Sequence, residues 1–367
     1  MKTATITFHA AHNYGSMLQA YALQQIILRL GHSNEIINLR TERQKQLYCK
    51  PLEYEGSLYV SLLRRLFYQP FISSLNRKHV LFERYLNNNL LLTKEYATEN
   101  DLFKADFSYD CYISGGDQIW NVGPIDFDWS YFLPFVKQGK KISYAVSMGP
   151  NGIRTEQNKD SIVKYLSSYH SIGVREEGTQ KVVSKVVSKN VQIVLDPVLL
   201  LTKEEWYSHF DKSPLIKGDY ILMYVPMFNE QVYRLSRLIS KFLNIRVVTT
   251  TFQLKSLSYI SFYHKLDVGP CEFLNLLSNA RLVISGSFHA TVFAALFQVP
   301  FFAVNGNKDN RTGSFLNKIG LLERSISFID WKEKVKFAFN CDFSIMESIL
   351  NAERIRSINF LKCAIEE

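Results

Sequence analysis

Cysteine is scarce in this sequence, and no two cysteines have the spacing of a metal-binding motif. The 367 residues include five, scattered along the chain without a C-x-x-C pair. This spacing argues against a zinc ribbon and against the disulfide framework of a small secreted domain. The first residues have no signal-peptide pattern. We therefore expect a soluble protein of a reducing compartment, the cytoplasm.

The sequence also lacks an apolar run long enough to cross a membrane. Its most apolar window, residues 288–304, contains His289, Gln298 and Pro300. The pattern favours a buried helix followed by a buried strand. Hydrophobic residues make up 47% of the chain and charged residues 21%, which is the balance of a globular protein rather than a disordered one.

Acidic residues are outnumbered by basic ones. The chain has 34 Asp and Glu against 43 Lys and Arg, a net charge of +9. Such a charge favours acidic or phosphorylated partners, although an ordinary basic surface accounts for it as well. No RNP, zinc-finger or helix-turn-helix signature is present, so nucleic acid is not an expected partner.

The first forty residues predict a β-α-β unit. Residues 3–8 form a short β-rich stretch, and a glycine-containing turn leads into a helical pattern over residues 16–30. Gly31 stands where a C-terminal cap glycine belongs, and a second strand follows at residues 35–39. This order is typical of the start of a doubly wound parallel sheet.

The alternation of strand and helix stops at residues 41–105 and then resumes. That basic, aromatic-rich segment predicts a helical insertion. Further strands are predicted at residues 109–114, 141–147, 171–174, 191–195, 220–225, 246–250, 281–285 and 301–304, and helices near 156–169, 176–187, 229–243, 270–278 and 288–297.

The pattern predicts an α/β protein of two Rossmann-like domains that face a cleft, as in GT-B transferases. A turn-rich stretch near residues 211–218 separates an N-terminal domain, residues 1–213, from a C-terminal domain, residues 214–340. Ligands of such sheets bind at the carboxyl ends of the strands. A helix in residues 341–367 follows; its predicted capping box is Ser344 and Glu347, and its predicted buried face is Ile345, Ile349, Ala352 and Ile355.

The first strand-to-helix turn contains Asn13, Tyr14 and Gly15. It lacks the G-x-G-x-x-G spacing of a dinucleotide site. Gly15 nevertheless permits close approach of a ligand to a helix N-terminus, where free N–H groups favour an anion. An ordinary tight turn with a serine cap explains the same residues.

The second turn follows the strand at residues 109–114. Gly116, Asp117, Gln118, Trp120 and Asn121 form a dense polar cluster there. Carboxylate and amide groups suit sugar hydroxyls, and an indole suits the apolar face of a sugar ring. In the alternative interpretation Asp117 caps a helix and Trp120 fills the core.

The third and fourth turns predict an anion site. Arg175, at the end of a strand, offers a fork of donors to a carboxylate or phosphate, unless it only pairs with Glu176 or Glu177. In the fourth turn His289 lies in the first turn of a helix, where it can bind phosphate or transfer a proton. A structural role is the alternative for this histidine. The residues that precede it in the turn are Ser285, Gly286, Ser287 and Phe288.

Taken in order, these motifs resemble the polysaccharide pyruvyl transferase family over residues 1 to about 305. The family implies transfer of pyruvate from phosphoenolpyruvate to two hydroxyls of a sugar, giving a cyclic ketal and phosphate. It suggests a galactose or mannose derivative of a bacterial surface polysaccharide, and we expect a lipid-pyrophosphate-linked precursor. The residues that carry the resemblance are 13–15, 109–110, 114–121, 144–147, 174–177, 196–197 and 285–290.

Within the chemistry that the resemblance implies, we assign roles to three predicted site residues, since all three follow strand ends and can converge. His289 is the acid or donor on the phosphate side, Arg175 the clamp, and Asp117 the acceptor-side base or hydroxyl anchor. Neither metal nor organic cofactor is expected, because phosphate is already the leaving group and no ligand cluster is evident. The donor-binding set is Arg175, Ser285, Gly286, Ser287 and His289; the acceptor-binding set is Asn13, Tyr14, Gly15, Gly116, Asp117, Gln118, Trp120 and Asn121.

In one position the chain departs from the family pattern. Many members have Arg-x-His where this chain has Ser287, Phe288 and His289, so one guanidinium clamp is missing. Arg175, Lys308 and Arg311 are candidates to replace it.

The basic insertion supports a second hypothesis. Residues 62–86 contain one acidic residue, Glu83, among aromatic and basic ones, and such a segment can rest on an anionic membrane at the inner face. Packing against the first domain is the alternative. The basic residues are Arg64, Arg65, Arg77, Lys78 and Arg84.

Two other functions fit the same architecture. A glycosyltransferase would use a nucleotide sugar, and it would need groups for base and ribose that the second domain does not show. A non-catalytic sugar-binding protein would leave the Arg, His and Asp at the strand ends unexplained.

Overall fold

A computed structural model describes residues 1–50, 53, 58–149 and 156–367. Part of the predicted insertion, residues 51–52 and 54–57, lies outside this description, as does the side chain of Arg64.

Seven parallel strands form the first sheet: β1 (Lys2–Ile6), β2 (Ser33–Leu39), β3 (Leu92–Tyr96), β4 (Cys111–Gly115), β5 (Lys140–Val146), β6 (Ser171–Val174) and β7 (Val191–Ile193). Their order is β3-β2-β1-β4-β5-β6-β7. The chain builds outward from β1 in one direction and then crosses to β4 on the other side. The switch point, where ligands of such sheets bind, therefore lies at the carboxyl ends of β1 and β4.

Six parallel strands form the second sheet: β8 (Ile221–Tyr224), β9 (Val247–Thr249), β10 (Tyr263–His264), β11 (Leu282–Ser285), β12 (Phe301–Val304) and β13 (Ser325–Ile326). Their order, β10-β9-β8-β11-β12-β13, repeats the reversal of the first sheet. The prediction of two parallel α/β sheets is confirmed.

The helices are α1 (Tyr14–Arg29), α2 (Glu42–Leu47), α3 (Leu58–Tyr68), α4 (Ile72–Asn89), α5 (Glu99–Lys104), α6 (Glu156–Ser167), α7 (Glu177–Val183), α8 (Lys203–Tyr207), α9 (Glu230–Leu243), α10 (Pro270–Ser278), α11 (Phe288–Leu296), α12 (Asn310–Lys318), α13 (Trp331–Lys334) and α14 (Ser344–Glu366). Short 3-10 segments are Gln69–Phe71, Trp129–Phe132, Pro197–Leu199, Leu254–Tyr259, Gly306–Lys308, Leu322–Arg324 and Val335–Phe337.

Helix α1 begins at Tyr14, two residues before the predicted start, ends where its sequence indicates, and joins the two sheets. The side chain of Asn13 accepts a hydrogen bond from the Gly15 N–H at 3.0 Å, which caps the helix. Gly31, just beyond the other end, has φ +83° as predicted for a cap glycine. At its start, the Tyr14 ring stacks on Phe273 of α10 with 4.2 Å between ring centroids, so α1 packs directly against the second sheet's helices.

Residues 288–304 form the predicted buried helix and strand. All nine residues of α11 are buried, and so are those of β12. Across the described part of the chain, no helix combines the length and apolar character that a bilayer crossing requires.

The predicted insertion, residues 41–105, is not purely helical. It contributes β3, which pairs with β2 and forms an edge of the first sheet. Its sequence, LTKEY, puts Lys94 and Glu95 in the middle of the strand, and both are exposed. Edge strands carry such charges, and the charges hide the apolar alternation on which strand prediction depends.

The prediction for the last helix is wrong in two respects. The N-cap residue of α14 is Phe343, without a capping box, and the Asp342 carboxylate accepts from the Ser344 N–H instead. Ile345 and Ile355 are exposed. The helix packs against the first sheet through another apolar row, and its buried residues are Met346, Leu350, Ser357, Leu361, Ala364 and Ile365.

A candidate active site between the two domains

Three charged side chains from different elements meet between the sheets. Arg175 directly follows β6, Asp196 lies three residues beyond β7, and His289 is the second residue of α11. Nη1 of Arg175 donates to Oδ2 of Asp196 at 2.8 Å. The same oxygen lies 3.3 Å from Nε2 of His289. One carboxylate oxygen therefore connects an arginine of the first domain to a histidine of the second.

The buried charges of Arg175 and Asp196 stabilise each other. Burial alone would raise the pKa of Asp196, but the His289 imidazole and the Arg175 guanidinium outweigh it and hold that pKa well below its usual range. Burial disfavours the charged guanidinium of Arg175, yet the carboxylates of Asp196, Glu176 and Asp117 raise its pKa above the ordinary value. Both groups are therefore ionised at neutral pH, as a buried pair must be to offset its desolvation.

Arg175 is enclosed by groups of both domains. The Phe288 ring of the second domain lies 4.5 Å from its Cζ, a cation–π contact. Glu176 Oε2 lies 3.4 Å from its Nε, and the Thr179 hydroxyl donates to the other oxygen of Glu176. These contacts fix the guanidinium fork at the domain boundary.

Two buried nitrogens in this cluster remain without a hydrogen-bond partner. Within the part of the chain that the structure describes, Arg175 Nη2 and His289 Nε2 make none, since the 3.3 Å contact of His289 with Asp196 falls outside hydrogen-bond geometry. Buried polar groups are nearly always satisfied, and each exception calls for an explanation. Of the two residues, Arg175 lines an open cavity, and a nitrogen that can donate there is suited to an anionic ligand.

Asp117 lies beside this cluster and ties it to α1. It has φ +56°, and its Oδ1 is 3.9 Å from Nη1 of Arg175. Its Oδ1 accepts from the Gln118 N–H at 2.8 Å and its Oδ2 from the Ser16 hydroxyl. Both oxygens are engaged, which favours an anchoring role over that of a free base.

Two glycines allow the backbone to approach closely here. A Cβ at Gly116, which has φ +68°, would lie 1.6 Å from Oε1 of Gln19. A Cβ at Gly15 would lie 2.1 Å from Nδ1 of His289. The N-terminus of α1 therefore meets the histidine of the second domain with no side chain between them.

Two residues predicted to bind the acceptor are packed in the core instead. Trp120 is 1% exposed; its ring stacks on Phe132, and its Nε1 donates to the Ser114 hydroxyl at 3.1 Å. Tyr14 is also 1% exposed, and its hydroxyl donates to the carbonyl of Val268 at 3.1 Å. Both side chains have satisfied polar groups and are packed in the core, where they have no face open to an acceptor. Gln118 and Asn121 hydrogen-bond each other at 3.1 Å beside the Asp117 turn.

The Ser-Gly-Ser turn before α11 forms where it was predicted. Its hydrogen bonds are local, because Ser285 Oγ accepts from the Ser287 N–H at 3.0 Å and donates to the Ser287 carbonyl at 2.8 Å. Gly286 is exposed in the same turn. Ser287 is the N-cap residue of α11, but its side chain makes no capping hydrogen bond.

A cavity of about 770 Å³ opens beside Arg175, between β7, α7 and α12. Arg175, Asp196 and Phe288 form its inner wall, and Arg311 lies on the α12 side. Arg311 is one of the candidates to replace the missing arginine; its guanidinium makes two hydrogen bonds to Asp309, at 3.0 and 3.1 Å. Lys308, the other, is exposed and does not line this cavity.

A second polar cluster lies at the carboxyl end of β1. Nε2 of His12 lies 2.9 Å from Glu83 Oε1, and Arg40 donates to both oxygens of Glu83 at 2.8 and 2.9 Å. Burial would raise the pKa of Glu83, but the hydrogen bonds from His12 and Arg40 lower it to about 2. The His12 ring is stacked on Phe82 with 4.9 Å between centroids, so its position is fixed at the switch point.

Sequence reasoning missed Asp196 and the His12–Glu83 pair as site residues. Asp196 had a detectable signal, since an acidic residue directly after a predicted strand lies at a carboxyl end. Glu83 had none, because it reaches the site from a helix of the insertion. In the described residues, no three His, Cys, Asp or Glu side chains cluster as metal ligands do.

Comparison with known proteins identifies a family for this sequence. A family model for polysaccharide pyruvyl transferase matches residues 13–308. No curated protein matches the sequence.

Several solved structures share the fold. UDP-GlcNAc 2-epimerase from Neisseria meningitidis, bound to UDP-GlcNAc, has a TM-score of 0.54 at 13% identity and covers 99% of this chain and 100% of its own. The Methanocaldococcus jannaschii UDP-GlcNAc 2-epimerase has a TM-score of 0.51 at 14% identity and covers 97% and 99%. An alpha-glucosyltransferase in complex with UDP has a TM-score of 0.50 at 8% identity and covers 98% and 95%. The chain thus has the GT-B-like architecture that its sequence predicts.

Proposed function

We propose that this chain, which belongs to the polysaccharide pyruvyl transferase family, transfers pyruvate from phosphoenolpyruvate to two hydroxyls of a sugar and releases phosphate. The observation that carries the donor assignment is the Asp196 oxygen shared by Arg175 and His289. A site assembled from both domains, with two unpartnered buried nitrogens, suits a small polyanion.

Phosphoenolpyruvate would lie in the cavity beside Arg175. The unpartnered Nη2 of Arg175 donates to the carboxylate or phosphate. The phosphate lies toward the start of α11, where helix N–H groups favour an anion. Arg311, in the cavity wall, supplies the second cation after exchanging its hydrogen bonds with Asp309 for the ligand. Arg311 would thereby supply the guanidinium that many family members have at the position of Ser287.

The proposed reaction begins with proton transfer from His289 to the methylene carbon of phosphoenolpyruvate, which makes the central carbon electrophilic. The oxygen of one sugar hydroxyl bonds to that carbon, and the bond to the phosphate oxygen breaks. The second hydroxyl then closes the ketal. One hydroxyl proton restores His289, and the other leaves with phosphate, so the reaction balances without a metal or organic cofactor.

Asp196 positions the imidazole of His289, and Arg175 stabilises the departing phosphate. The acceptor would lie over the switch point of the first sheet, between the Asp117 turn and His12. Asp117 anchors a hydroxyl, and the Glu83-oriented His12 is the better candidate for the acceptor-side base, because its carboxylate partner is held in place by Arg40. The acceptor class is a hexose of a lipid-linked surface-polysaccharide precursor.

The test is phosphate release from phosphoenolpyruvate with a panel of galactosides and mannosides, together with the product mass. Acceptor-dependent release and a product heavier by one ketal-linked pyruvate are expected. His289→Gln should lower turnover by about 10²–10⁴-fold, the usual contribution of a general acid. Release of a nucleoside diphosphate from a nucleotide sugar, with none from phosphoenolpyruvate, would instead identify a glycosyltransferase.

A further inference from the structure

An exposed apolar surface crosses the boundary between the two domains on the side of the insertion. On α3, Leu62 is 56% exposed and Leu66 is 67% exposed. On the 3-10 segment of the second domain, Leu254 is 62% exposed, and Ile260, which follows it, is 58% exposed. We call this surface the junction patch; its members are Leu62, Leu63, Leu66, Leu254, Leu257, Ile260 and Tyr263.

The two halves of the junction patch are joined by aromatic rings. Phe67 of α3 stacks on Phe252 with 5.2 Å between centroids, and Phe71 lies 4.4 Å from the same ring. The His264 ring packs edge-on against Phe252, with 4.9 Å between ring centroids. Leu66, Leu254 and Tyr263 each lie within two residues of one of these rings. The two halves of the patch are therefore linked across the domain boundary through the Phe252 ring.

Basic residues outnumber acidic ones in the segments that carry the patch. Residues 58–83 contain four basic residues and one acid, Glu83, and residues 230–267 contain six basic residues and two acids. Of these two, Glu230 accepts from the Tyr259 hydroxyl at 2.6 Å and Asp267 pairs with Lys265 at 2.7 Å. Arg65 and Lys255 are exposed between the leucines. Arg237 lies 3.9 Å from the Tyr259 ring at the edge of the patch. Exposed apolar side chains thus alternate with the exposed positive charges of Arg65 and Lys255.

We infer that the junction patch docks this protein on a lipid bilayer that contains anionic lipids. Exposed apolar patches of this kind mark interaction sites, and leucines interleaved with Arg and Lys are typical of surfaces that lie at the headgroup boundary. A second copy of the chain fits less well, because a symmetric contact would bring the same cations against each other.

The position of the patch relates it to the cleft. Lys78, on α4 behind the patch, donates to the Thr250 carbonyl of the second domain at 3.2 Å and lies 5.1 Å from the Tyr14 ring at the start of α1. A bilayer at the patch would therefore lie at the rim near α1. A lipid-linked acceptor would then have a short path to the site. This consequence rests on the proposed function, whereas the docking itself does not depend on it.

The experiment is sedimentation of the full chain with vesicles of 30% phosphatidylglycerol in phosphatidylcholine, compared with phosphatidylcholine alone. Binding is expected to the anionic vesicles only, and to weaken as salt rises. Leu66→Asn with Leu257→Asn, and separately Arg65→Glu with Lys255→Glu, should each weaken binding at least tenfold. Ile355→Asn and Lys362→Glu, exposed positions on α14, are the matched controls and should bind as the wild type does.

A second readout locates the contact. The tryptophan introduced by Leu66→Trp or Leu257→Trp should shift its emission to shorter wavelength with anionic vesicles, whereas that of Ile355→Trp should not. No binding by the folded wild-type chain, or equal loss in the α14 controls, would overturn the proposal. A wild-type dimer that the leucine variant dissociates, without vesicle binding, would assign the patch to a second copy.

Discussion

A Cβ atom on Gly15 would lie 2.1 Å from Nδ1 of His289 and 2.5 Å from its Cβ. The first helix of one domain and the candidate acid of the other are therefore in direct contact. The imidazole is held between this helix and the Asp196 carboxylate, so its position depends on how the two domains meet.

Gly15→Ala tests that contact. The methyl group must displace the imidazole, because the side chain of His289 is overlapped as far back as its own Cβ. A misplacement of about 1 Å costs about 10²-fold in turnover, and this loss is expected here in kcat for phosphate release. Gly178→Ala is the control, since a Cβ there meets its nearest atom at 3.6 Å. Equal activity of the two variants would exclude the close approach of Gly15 to the His289 side chain.

Asp196→Asn tests the buried pair through stability. Removing one partner of a buried ion pair costs about 3–5 kcal/mol, and the free energy of unfolding should fall by an amount of that order. The pKa of Asp196 is lowered from its ordinary value of 3.8, so its contribution is complete above pH 3.8 and is lost only as the pH falls through the lower folded-state pKa. Urea unfolding of the wild type and the variant from pH 7 to pH 3 measures this. If the difference in unfolding free energy between the wild type and Asp196→Asn already disappears between pH 7 and pH 5, the assignment is contradicted.

Lys78→Met tests the opposite dependence. Burial lowers the pKa of Lys78 to about 8 from 10.5, so between these values the unfolded chain binds more protons than the folded one. The wild type should then gain stability as pH rises from 8 to 10.5, by up to about 1.4 kcal/mol per pH unit, whereas Lys78→Met should not. Lys332→Met, at an exposed position, is the control and should follow the wild type. If the difference in unfolding free energy between the wild type and Lys78→Met does not change from pH 8 to 10.5, the Lys78 ammonium lies in water.

Much of the fold could be predicted because strand and helix alternate with clear punctuation. Gly31 marks the end of α1, and the apolar window at residues 288–304 gives one helix and one strand. The polar edge strand β3 could not be found, since its burial depends on pairing with β2 and not on its own pattern. In α14 two apolar rows were available, and only packing on the first sheet selects Met346 and Leu350 over Ile345.

The site was predicted less completely than the fold. Arg175, Asp117 and His289 all follow strand ends, and the structure brings them into one cluster. Trp120 follows a strand as well. Whether its indole faces a ligand or the core depends on packing partners such as Phe132, which the sequence pattern around Trp120 does not reveal. Glu83 lies on a helix of the insertion, so the rule that ligand-binding residues follow the carboxyl ends of strands could not identify it.

Calorimetric titration of phosphoenolpyruvate tests the central claim most directly, namely that the Arg175–Asp196–His289 cluster is a donor site. The wild type should bind phosphoenolpyruvate in the absence of acceptor and of added metal. Arg175→Lys keeps the charge but loses the guanidinium fork, and it should weaken binding at least tenfold, about 1.4 kcal/mol. Arg281→Lys, a partly exposed arginine whose side chain is 53% exposed, should bind unchanged. Undiminished binding by folded Arg175→Lys, or binding of a nucleotide sugar where phosphoenolpyruvate does not bind, would contradict the account.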